Sequence, residues 1–81
     1  MTRITLNHPV FRSAGYDAED QTMEISFRDG SVLLFRGVPM SIYNRFMRAS
    51  QRTDIDIETY YRTVIEGRFP MRQIKAARAL A

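Results

Sequence analysis

The chain has 81 residues, 44% of them hydrophobic and 26% charged, which describes one ordinary globular domain rather than a disordered or membrane-spanning chain. No apolar run approaches the roughly 18 residues of a bilayer crossing, the first residues lack the hydrophobic segment of a signal peptide, and the absence of cysteine excludes disulfides and thiolate metal sites. The net charge of +3 rests on eleven arginines and one lysine; it fits a solvated surface, or a face for nucleic acid or another acidic partner. The expected location is the cytoplasm.

In chain order, Ile4 and Leu6 alternate with Thr5 and Asn7 until Asn7-His8-Pro9 breaks the run. Proline lacks an amide and biases the preceding residue away from helix, so residues 1–10 are predicted to hold an edge strand. Residues 11–16 form the next predicted strand, ending in the turn-rich 17–21. Met23, Ile25 and Phe27 then alternate with Glu24, Ser26 and Arg28, the period of a half-buried strand. Asp29-Gly30 predicts a two-residue type I′ loop, which needs positive φ at both central positions. That loop sets Phe27 opposite Val32 and Ile25 opposite Leu34. Leu33 and Phe35 are thereby expected on the outer face of the hairpin, covered by another segment or forming a patch for a partner.

Pro39 suits the first position of a helix, where a missing amide costs nothing. Ile42, Tyr43, Phe46, Met47 and Ser50 share the face predicted to dock on the sheet, and Arg45, Arg48 and Arg52 share the opposite one. Residues 53–56 supply N-cap residues and first-turn acids for a second helix. Its apolar stripe is Ile57, Tyr60, Tyr61, Val64 and Ile65, and Arg62 is expected to pair with Glu66. Gly67 and Pro70 end that helix. Residues 71–81 are good helix formers with a thin apolar face, predicting a short third helix or a frayed basic tail. The expected fold is α+β, a single domain over residues 1–81: a three- or four-stranded antiparallel meander followed by two helices packed on one face.

Catalytic chemistry finds little footing in this sequence. His8 is the only histidine, with no second ligand at a metal-binding spacing, and it reads as a surface or turn residue. Any Ser-His-Asp arrangement would have to use it. Asp54 and Asp56 are explained by the dipole of the helix they open, and Gly30 and Gly37 do not make a phosphate-cradling loop. No enzyme activity, metal or small-molecule cofactor is expected, and no membrane partner.

Gly15-Tyr16-Asp17, a spacer, and then Met23-x-Ile25-x-Phe27-x-x-Gly30 resemble the start of the KTSC domain. Val38-Pro39-Met-Ser-Ile42-Tyr43 resembles that family's Val-Pro-x-x-Val-Tyr, with Phe46, Ala49 and Ser50 at matching positions. The likeness covers about residues 11–50. Two features depart from the family's pattern: its Tyr-x-Tyr falls on Leu33-Leu34-Phe35, and a glycine usual after the matching serine is replaced by Gln51-Arg52. The resemblance implies a small module, found at the C-terminus of some lysyl-tRNA synthetases and as a stand-alone bacterial protein, with RNA as its suggested ligand. The expected nucleic-acid-binding residues are Arg45, Arg48 and Arg52, joined by Phe35 as the aromatic kept where the family has tyrosines. The alternative is a protein-interaction or self-association module using Leu33 and Phe35 on the outer sheet face, or a sheet edge.

Overall fold

A computed structural model describes residues 2–52 and 56–77. Five strands form one sheet: β1 (Arg3–Thr5), β2 (Phe11–Asp17), β3 (Thr22–Phe27), β4 (Val32–Phe35) and β5 (Met71–Lys75). They lie in chain order, each antiparallel to its neighbour. Between β4 and β5 the chain forms α1 (Met40–Ser50) and α2 (Ile57–Tyr60), and α2 continues into a π-helical turn at Tyr61–Ile65. The fold is α+β as expected, but the sheet has five strands rather than three or four. The fifth is built from residues expected to be helical or frayed. Pro70 places its carbonyl on the amide of Arg36 at 3.0 Å. Met71 then starts a ladder along the edge of β4, whose backbone groups need partners whatever the local helix propensity.

The hairpin differs from expectation by one residue. Phe27 donates to Ser31 O at 2.9 Å and Gly30 donates to Phe27 O at 3.0 Å, so the loop is the three residues Arg28-Asp29-Gly30. Gly30 takes φ 97°, the left-handed position that closes a three-residue loop. Asp29 Oδ1 braces the turn by accepting from Ser31 N at 2.8 Å and Ser31 Oγ at 2.6 Å. Met23 therefore faces Phe35 and Ile25 faces Leu33. A one-residue slip moves every side chain of a strand to the other face, so Leu33 and Phe35 join the core, while Val32 and Leu34 take the outer face that had been expected for Leu33 and Phe35.

A bulge in β2 completes the core face. Phe11 faces Phe27, but the next pair is Ser13 with Ser26, leaving Arg12 as the extra residue. The bulge reverses side-chain parity, so Phe11, Ala14 and Tyr16 all lie on the same face as Met23, Ile25 and Phe27. Both helices pack there, and the ring of Phe11 lies 5.5 Å from Phe46 of α1 and 5.4 Å from Tyr61 after α2. As the spacing predicted, Phe46 is buried, with Ile42, Tyr43 and Met47 packed against the core.

Asp56 caps α2, its Oδ1 accepting from Glu58 N at 3.0 Å and Thr59 N at 3.3 Å; residues 53–55 lie outside the described set. These bonds to Thr59 and Glu58 hold the Asp56 carboxyl below its ordinary range. Ile57, Tyr61 and Ile65 are all buried, yet residues four apart in an α-helix drift by roughly 40° per step. The wider turn at Tyr61–Ile65, closed by Glu66 N on Tyr61 O at 2.8 Å, counters that drift. It also takes Glu66 out of α-helical phase, and Arg62 pairs with Glu58 at 2.8 Å instead of with Glu66. Gly67 ends the turn at φ 75°.

Two substitutions check this architecture. Gly30→Val places a β-branched residue at positive φ and is expected to cost about 1–3 kcal/mol, read as a lowered urea midpoint. Phe11→Ala removes a fully buried ring and is expected to cost about 3–5 kcal/mol; a nearly unchanged melting transition would show that the helices do not meet on this ring.

Candidate nucleic-acid interface

Residues 39–52 contain no Asp or Glu. Helix α1 buries Phe46 and Ala49 and turns Ser41, Asn44, Arg45 and Arg48 to solvent. Among the described residues, no carboxylate forms an ion pair with Arg45 or Arg48. Arg48 stands in the last turn, where the carbonyl end of the helix favours a cation. The helix stops at Ser50, whose Oγ donates to Met47 O at 2.6 Å. Arg52 is thus one residue past the cap rather than on the helix itself; its amide reaches Ala49 O at 3.2 Å and keeps it beside the last turn. Arg45 lies near Tyr60, whose hydroxyl donates to Ile42 O at 3.4 Å. Burial raises the Tyr60 pKa, and the Arg45 charge partly opposes that shift.

The start of α1 is fixed by a contact that sequence spacing does not reveal. Tyr16 stacks on Tyr43 at 4.9 Å with 17° between the ring planes, and the Tyr16 hydroxyl donates to Val38 O at 2.6 Å. Tyr16, Val38 and Tyr43, three of the residues that carry the family resemblance, therefore hold the start of α1 to β2. Their role here is to aim the arginine-bearing helix.

Phe35 is not at the surface. It is 1% exposed and meets Tyr61 edge-on at 6.0 Å; Leu33 packs against the same core. Neither lies on the outer face, where the two-residue loop set them either as covered residues or as a patch for a partner. That outer face carries instead a row in which Arg3 is opposite Gly15 and Gly15 opposite Glu24. Lacking a side chain, Gly15 lets Arg3 reach across β2, its Nε 2.6 Å from Glu24 Oε1. This bond, with the attraction of the carboxylate, raises the Arg3 pKa. Glu24 is 6% exposed and its charge is answered by this partner. Beside the row, a hollow of about 330 Å³ is lined by Thr5, Arg12, Ser13, Ser26, Val32 and Lys75 among others.

His8 serves the backbone around it, where its Nδ1 accepts from Val10 N at 3.0 Å. Arg28 holds the same segment, donating to Leu6 O at 2.8 Å and His8 O at 3.1 Å. Among the described residues no cluster of three or more His, Cys, Asp or Glu is placed to hold a metal ion, and no helix is long and apolar enough to cross a membrane.

Taken together, the geometry defines a small α+β domain with one sheet face covered by two helices, the first of which presents only cationic and neutral groups to solvent. The family profile of the KTSC domain matches residues 9–69, and the chain belongs to that family. A KTSC domain protein from Yersinia pestis, known from its crystal structure, superposes with a TM-score of 0.78 at 28% identity, covering 90% of this chain and 96% of that one. An uncharacterized protein from Stutzerimonas stutzeri is 33% identical over 49 residues, 60% of this chain and 69% of the relative.

Among the described residues, the largest protonation shift lies in the core. Burial, reinforced by the charge and hydrogen bond of Glu66, pushes the Tyr61 hydroxyl up to about 12. An unfolded tyrosine releases its proton near pH 10. Stability from this group is therefore complete below pH 10 and is lost as pH rises toward 12. Tyr61→Phe is expected to flatten the alkaline limb of a melting-temperature profile; an unchanged limb would assign the loss of stability to other groups.

Proposed function

We propose that this chain is a small non-catalytic module that binds RNA in the cytoplasm through phosphate contacts from Arg45, Arg48 and Arg52. The observation that carries the reading is helix α1, which contains no carboxylate and turns Arg45 and Arg48 to solvent. Guanidinium groups on such a face donate to phosphate oxygens, which position a nucleic acid without reading its sequence. The choice of RNA leans on the family's occurrence beside lysyl-tRNA synthetases. Phe35 is buried and Tyr43 is stacked on Tyr16, so base stacking plays little part, and the expected binding is sequence-neutral and strongly salt-dependent.

The test replaces Arg45, Arg48 and Arg52 together by Gln and compares this variant with one in which Arg12, Arg36 and Arg68 are changed in the same way. All six residues are exposed, and surface changes of this kind alter stability little. The α1 variant is expected to lose affinity for every single-stranded RNA tested. Its log–log salt slope should fall by about 0.7 per lost contact, whereas the control keeps most of its affinity. Equal losses in both variants would make binding a matter of net charge. Absence of RNA retention by the wild-type protein at low salt would end the reading.

A further inference from the structure

β5 is the last strand of the sheet and, among the described residues, is paired on one side only. All five of its residues are exposed, Met71 at 54% and Ile74 at 48%. An uncovered edge is a template for another strand, because it offers alternating N–H and C=O groups. An extended polypeptide matches that alternation; a phosphate backbone, which carries acceptors only, does not.

Charge selects which polypeptide. No Asp or Glu occurs from Gly67 to the end of the sequence. Arg72 and Lys75 face Leu34 and Val32 and so lie on the open side of the sheet, Met71 and Gln73 face Phe35 and Leu33 on the helix side, and a register shift leaves Ile74 as the extra residue that brings Lys75 to the side of Arg72. At the start of β5 a hollow of about 320 Å³ is lined by Arg36, Pro70, Met71 and Arg72, adding a third cation. A second copy of β5 on this edge would crowd four cations into two five-residue strands, and like charges opposed across strands are destabilising. An acidic strand meets no such opposition.

We propose that the outer edge of β5 accepts an extended acidic segment of a partner protein as a sixth strand. Its carboxylates lie on the open side beside Arg72 and Lys75, and its apolar residues lie on the other side beside Met71. The segment therefore alternates acidic and apolar residues.

The probe is a capped eight-residue peptide of alternating Val and Glu, titrated into isotopically labelled full-length protein. Amide shifts concentrated in residues 71–75 and at least tenfold slower hydrogen exchange there are the expected result. Arg72→Glu with Lys75→Glu is expected to weaken this peptide at least tenfold and to admit the Val–Lys counterpart. Should that variant fail to fold, the wild-type protein still decides the matter with a peptide N-methylated at alternate residues, which keeps the charge but cannot complete the ladder and is expected not to bind. Equal binding of the N-methylated peptide, shifts centred on α1, no shift at millimolar peptide, or dimerisation through β5 without peptide would each overturn the proposal. Retention of the peptide by the Arg45, Arg48 and Arg52 triple variant would separate this edge from the RNA reading.

Discussion

The ring of Phe11 is where the parts of this domain meet. It is fully buried and touches Phe27 from the hairpin, Phe46 from α1 and Tyr61 from the turn after α2. None of this follows from simple alternation along β2, because Ala14 and Tyr16 point to the core and strict parity would send Phe11 to the open face. The bulge at Arg12 reverses the parity once. It is the local irregularity on which the helix–sheet interface depends, and it leaves Arg12 without a partner on β3 while its carbonyl accepts from Leu6 N at 2.9 Å.

Much of this was legible in the sequence, and the misses have identifiable causes. The alternation of Met23, Ile25 and Phe27 and the helical spacing around Phe46 report which side faces the core, and both appear in the structure as expected. The hairpin register did not follow from Asp29-Gly30, since that dipeptide serves two-residue and three-residue loops alike. The apolar pattern was the better arbiter: only the longer loop puts Leu33 and Phe35 on the same face as Ile25 and Met23. β5 was hidden because Met71–Lys75 contains a single β-branched residue, and its strand geometry is imposed by the edge of β4. At the candidate site, the exposure of Arg45 and Arg48 was readable from periodicity. Arg52 escapes that periodicity because the helix stops at Ser50. The Tyr16–Tyr43 stack joins residues far apart in the chain, and nothing local announces it.

The net charge of +3 hides a division of labour among the cations. Arg3 answers Glu24, Arg62 answers Glu58, and Arg28 holds the backbone carbonyls of Leu6 and His8. Several acids are likewise committed to local structure: Asp17 Oδ1 accepts from Glu19 N at 3.0 Å in the β2–β3 turn, Asp29 braces the hairpin and Asp56 caps α2. Arg45 and Arg48 lie exposed on α1, and Arg36, Arg72 and Lys75 lie around β5, so these two surfaces are more positive than the average over the molecule suggests.

Because the strands are ordered as they occur in the chain, β1 and β5 form opposite margins of the sheet, four interstrand spacings or roughly 19 Å apart. Embedded in a longer polypeptide, such a module would receive the chain along one margin and release it along the other. It would then sit in line with its neighbours as a spacer of fixed width, rather than hang from a single point of attachment. Copies joined in tandem would bring the last strand of one unit toward the first strand of the next, and the length of the connector would decide whether their sheets merge or stay separate.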